Sequence, residues 1–197
     1  MRFDHPPHRL ISVAIVCAMW LAAAGLHAQQ VVNPTAAALV EFTKRVTTYM
    51  DLHKKAEAAA PDVKAGASPA EVFAFEKMLA ERLTAARVTA KQGDIFTADV
   101  VPVFKKIFTD YYERRSGREI RLLFDEVPDF KPQVNGIYPV NAAKANFPPR
   151  LSLALPTLTD ELEYRLVGTT LVLRDTEANL VVDYIPNVLP PSARPKP

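Results

Sequence analysis

Two periodicities divide the chain. Between Leu39 and Tyr111 apolar side chains return every third or fourth position, the spacing of one helix face; between Glu161 and Ile185 they return every second, the spacing of one sheet face. The change of period predicts an α+β protein: three to four N-terminal helices, a Pro-rich connector and a C-terminal three-stranded antiparallel β-meander.

Leu39, Phe42, Val46, Tyr49 and Met50 place a first helix over residues 35–59, capped by Asn33 or Thr35 and stopped before Pro61. Ser68-Pro69-Ala70-Glu71 is a start signal with serine as cap, proline in the first position and glutamate in the third. A second helix then runs to Gln92, with Val72, Phe75, Leu79, Leu83 and Ala86 as its stripe and Glu76, Lys77, Glu81, Arg82 and Arg87 outside. Gly93 ends it. A third begins at Asp94 or Thr97 and buries Val101, Phe104, Ile107, Phe108 and Tyr111; a shorter fourth spans Arg118 to Glu126. Residues 127–160 are Pro-rich, with a short helical turn at Arg150–Ala154, and read as an ordered loop around the helices.

The strands are expected at Glu161–Val167, Thr170–Asp175 and Leu180–Ile185. Gly168-Thr169 suits a type II′ turn, which sets Leu166 opposite Leu171, Tyr164 opposite Leu173 and Glu163 opposite Arg174. A second turn with Asn179 left-handed would set Leu173 opposite Val182 and Leu171 opposite Tyr184. One face then collects Leu162, Tyr164, Leu166, Leu171, Leu173, Leu180, Val182 and Tyr184. Glu163, Arg165, Val172, Arg174, Val181 and Asp183 fall on the other.

Ahead of these elements lies an export pattern. Arg2 and Arg9 precede the apolar run Leu10–Leu26, and Ala28 supplies the small residue before a cut between Ala28 and Gln29. The domain reading is therefore 1–28 signal peptide, 29–126 helical region, 127–160 connector, 161–186 meander and 187–197 Pro-rich tail, with 29–186 as one domain. A retained membrane anchor is the competing reading of the leader. After cleavage, no membrane span is expected and the location is periplasmic, with secretion as the alternative.

Composition then removes function classes. Beyond residue 28 the chain carries 22 basic and 21 acidic side chains, too balanced to suggest nucleic acid or an anionic membrane surface as partner. Cys17 leaves with the leader, so the fold rests on a packed core without disulfides.

His53 is the one histidine beyond the leader, beside Lys54 and Lys55; as a general base it has no serine or cysteine in a nucleophile context, and a surface or core-edge position is the simpler reading. Carboxylates gather at Asp125, Glu126 and Asp129, at Asp160, Glu161 and Glu163, and at Asp175, Glu177 and Asp183; without calcium-loop spacing they read as solvated turn residues. Arg114, Arg115, Arg118 and Arg121 form a basic patch suited to a helix C-terminus or to an anion. No catalytic, cofactor-binding or metal-ligating residue is assigned, and no cofactor.

The run Glu163-Tyr164-Arg165-Leu166-Val167-Gly168, then Leu171-Val172-Leu173-Arg174-Asp175 and Asn179-Leu180-Val181-Val182-Asp183, resembles the end of a family of uncharacterised exported bacterial proteins with a helical N-terminal region and a C-terminal β-meander. The resemblance is most specific over residues 156–190. It implies a location and an architecture and carries no site residue. The same hairpin, through Tyr164-Arg165 and Gly168, is more faintly similar to periplasmic nickel/cobalt homeostasis proteins, from which the chain departs by its long helical part and scarcity of histidine.

The expected function is binding of a protein or envelope component without catalysis. A small-ligand or metal carrier, and an enzyme using His53 or scattered carboxylates, are the alternatives. The candidate surface is the outer strand Leu180, Val181, Val182, Asp183, Tyr184 and Ile185, whose free backbone could accept an extended partner unless the tail covers it. Oligomeric state is not legible.

Overall fold

The Gly168-Thr169 turn organises the C-terminal half as the pattern requires. In a computed structural model, which describes residues 33–60, 66–113, 115, 130–139 and 147–191, β1 (Leu162–Val167), β2 (Thr170–Asp175) and β3 (Leu180–Ile185) form an antiparallel sheet in the order β1-β2-β3. Gly168 has φ +55°, and β1 meets β2 with Leu166 opposite Leu171, Tyr164 opposite Leu173 and Glu163 opposite Arg174, the expected register.

The β2–β3 register differs from the expected one. Asn179 is left-handed at φ +51° and sets Asp175 opposite Leu180 and Arg174 opposite Val181, but Leu173 then faces Asp183 and Leu171 faces Ile185. Val182 is therefore an extra residue on β3, a β-bulge. Beyond it the alternation reverses: Ile185 joins the helix-facing core and Tyr184 moves to the opposite face with Val172 and Val181.

Three helices cover the first face. α1 (Pro34–Ala58) is capped by Asn33, which accepts from the Thr35 amide at 3.0 Å. α2 (Pro69–Ala86) starts with a reciprocal capping box between Ser68 and Glu71. α3 (Val100–Tyr112) presents Val100, Phe104, Phe108 and Tyr112 as its fully buried row, with Val101, Ile107 and Tyr111 only partly covered, so the core face is turned from the one expected. The core centres on Phe42, Phe96, Phe104 and Tyr164, whose successive ring centroids lie 5.6, 5.2 and 6.0 Å apart. Such rings supply about 1.5–3 kcal/mol each on burial. A single turn, α4 (Pro149–Ser152), buries Leu151 beside α3.

Helix two is shorter than its pattern suggests, and helix three begins later. Residues 87–99 leave the helical path, and Arg87 and Gly93 reach β3. Residues 130–139 do not wrap the helices as expected. They run beside β3, where Ile137 bridges Leu180, and lay Phe130 and Tyr138 over the outer face of the sheet. The expected helix at Arg118–Glu126 and the leader lie outside the described residues. Among the described residues no helix is long and apolar enough to cross a membrane.

Candidate functional site

Two aspartates expected as solvated turn residues have no solvent contact at all, and each anchors a different part of the helical layer. Asp183 was expected on the outer face. The bulge turns it inward, where its carboxylate accepts from the amides of Gly93 at 3.0 Å, Ile95 at 2.8 Å and Phe96 at 2.8 Å. The left-handed φ of +90° at Gly93 lets the chain curl its amides toward one acceptor. The bulge also takes the Val182 carbonyl out of the ladder, and Arg87 donates to it at 3.0 Å while its other arm donates to Asn135 at 2.9 Å. Arg87, expected on the outer surface of helix two, thus stands half-buried over the Tyr49 ring at 4.9 Å, and burial lowers its pKa.

Asp175 ends β2 and caps the following turn, its Oδ1 accepting from the amides of Glu177 at 3.1 Å and Ala178 at 2.8 Å. Its Oδ2 accepts from the Tyr49 hydroxyl at 2.6 Å and faces His53 Nδ1 at 2.6 Å. His53 is buried, not at the surface or core edge as expected, and its Nε2 faces Glu177 Oε2 at 3.1 Å. Burial alone would lower the imidazolium pKa. The hydrogen bond and charge of Asp175, joined by those of Glu177, outweigh it and push the value up to about 9. Burial, then the Asp175 charge, raise the pKa of the Tyr49 phenol, so it stays a donor.

His53 and Glu57 are one turn apart on the last stretch of α1, and Glu177 projects from the β2–β3 turn. One ligand atom from each of the three lies within 4.8 Å of the others, so these are the residues that could hold a metal ion among those described. Sequence spacing could not pair them, because Glu177 is 124 positions from His53.

The remaining candidates separate. Glu163 accepts a hydrogen bond from Arg174 at 2.7 Å and is ion-paired with Arg165 at 2.7 Å; burial opposes its ionisation, but the two guanidiniums hold its carboxyl below the usual range. Arg115 lies over the Tyr111 ring at 4.1 Å, while Arg114, Arg118, Arg121, Asp125, Glu126 and Asp129 fall outside the described residues. The backbone edge of β3 is not free. Asn135 and Tyr138 donate to the Val181 and Asn179 carbonyls at 2.9 and 2.8 Å, the Val181 amide donates to Gly136, and every residue of the strand except Tyr184 is buried. The connector, through residues 135–138, covers it.

A cavity of about 440 Å³ between α1 and residues 86–95 is lined by Arg45, Tyr49, Arg87 and Asp94 among others, but His53 does not line it. Its arginines are engaged, Arg45 by Glu41 at 2.7 Å and by the Asp94 carbonyl at 2.6 Å, Arg87 as above. The chain matches no protein-family model, no curated protein and no solved structure.

Proposed function

We propose that the protein is exported, to the periplasm in the first place, and that it binds another protein or an envelope component there without catalysing a reaction. The observation that carries this reading is the use made of the buried polar groups. Both ring nitrogens of His53 face carboxylates, and Asp175 and Asp183 are occupied by backbone amides, so the side chains best suited to acid–base chemistry are engaged in holding the scaffold. Export is supported by the leader pattern of residues 1–28.

With β3 covered, β1 is the edge that suits a partner. Among the described residues no strand pairs with its outer side, and a groove of about 550 Å³ beside it is bordered by Pro156, Leu158 and Tyr164, with Leu153 87% exposed at its rim. An extended polypeptide adding to β1 would place its side chains along that groove. Crosslinking capture from an envelope extract tests this: Leu153→Glu, which alters only an exposed position, should reduce recovery of the captured component by more than half with circular dichroism unchanged. Equal recovery would remove this face, and no specific capture at saturating bait would overturn the binding reading.

A further inference from the structure

His53 Nδ1 and Asp175 Oδ2 face each other at 2.6 Å, which fixes the orientation of the ring. That contact turns Nε2 toward Glu177 Oε2 at 3.1 Å, a pair that needs a proton or a metal cation between them or at their common vertex. A proton on Nε2 meets that need but leaves Glu57 unused, since no hydrogen bond or ion pair engages the Glu57 carboxylate among the described residues.

We propose that His53 Nε2, Glu57 and Glu177 form a mononuclear site for a divalent transition cation such as Zn²⁺, with Asp175 as the residue that orients the histidine. One imidazole nitrogen with two carboxylates is a ligand set such ions accept. Ligand atoms bound about 2.0–2.2 Å from one ion at tetrahedral angles lie roughly 3.3–3.6 Å apart, so His53 Nε2 and Glu177 Oε2, now 3.1 Å apart, have only a few tenths of an ångström to open. Glu57, exposed at the end of α1, has only to swing in from within 4.8 Å. The carboxylate–histidine pairing is the usual support behind a metal-bound imidazole, because it fixes ring orientation and tautomer. The site also lies at the C-terminal end of α1, where the helix carbonyls favour positive charge. Three protein ligands leave a fourth position to water or to a donor from a partner. The proposal is independent of β1 and its groove.

The test is calorimetric titration of the chelator-stripped, purified chain with Zn²⁺, repeated with Co²⁺ and read by its visible absorption. One ion should bind per chain, with at least tenfold weaker binding in Glu57→Gln and in Glu177→Gln at unchanged circular dichroism. Glu57→Gln is decisive for the ligand set because it leaves the His53–Asp175 contact intact. Absence of binding heat and of cobalt bands, or parental affinity in Glu57→Gln, would overturn the site.

Discussion

Asp175 and Asp183 stand on neighbouring strands, equally sealed from solvent, yet one is answered by a titrating base as well as by backbone and the other by backbone alone. Asp175 ties the sheet to α1 through His53 and Tyr49, so that tie depends on protonation. Asp183 ties the sheet to residues 93–96 through amides that do not titrate, so that tie depends only on the path of the chain. Whether the donor to a buried carboxylate is itself a titrating group thus decides whether that tie changes as the donor loses its proton.

The comparison is broken most forcefully at Asp183. Asp183→Ala leaves the amides of Ile95 and Phe96 buried without an acceptor and should cost about 3–5 kcal/mol in urea unfolding, the loss being equal at pH 6 and pH 9. A cost below about 1 kcal/mol would mean that this carboxylate does not anchor the α2–α3 connection.

The next largest effect separates the two ties by pH. Because the folded chain raises His53 from 6.5 to about 9, the native state holds one proton more than the unfolded state between those values. The contribution is complete below pH 6.5 and disappears as pH climbs through 9. Stability measured with EDTA present should therefore fall by roughly 3 kcal/mol over that window. His53→Gln should flatten the profile, while Asp183→Asn should lower the whole curve and keep its slope. A slope that survives His53→Gln would place the titrating group elsewhere.

Within the Asp175 cluster, Tyr49→Phe removes one donor to the carboxylate and leaves the ring under Arg87. About 1–1.5 kcal/mol of destabilisation is expected by thermal or urea unfolding. A larger loss would show that the hydroxyl, and not His53, is the principal partner.

Legibility in the sequence follows the range of each interaction. The capping box at Ser68 and the β1–β2 register were readable because their determinants lie within a few residues: Glu71 for the first, Gly168-Thr169 for the second. The bulge was not, since Leu180-Val181-Val182-Asp183-Tyr184-Ile185 offers apolar residues to both faces and does not penalise a slip at Val182. Its cause is remote: the amides that draw Asp183 inward lie 87 to 90 positions away, and the arginine that takes the freed carbonyl is 95 away. The Asp175–His53 contact spans 122 positions for the same reason. Local rules therefore placed the elements, while both carboxylates, judged by their turn-like neighbours, were assigned to solvent.

The smallest effect is expected at Glu177, and it sharpens the contrast inside the cluster itself. Glu177 faces the same imidazole as Asp175, but its side chain is 42% exposed whereas that of Asp175 is wholly covered. Water and salt screen an exposed carboxylate, and its flexible side chain loses rotamer freedom when held, so such a pair contributes roughly 0–1 kcal/mol. Glu177→Gln should accordingly change stability by about 0.5 kcal/mol or less, with the difference shrinking further in 0.5 M salt on the order expected for a short screening length. The backbone amide of Glu177 still donates to Asp175 in the variant, so the turn keeps its cap. A fold so little perturbed makes the zinc titration of Glu177→Gln interpretable: lost affinity then reports a missing ligand. A destabilisation above about 2 kcal/mol would instead make Glu177 a structural partner equal to Asp175.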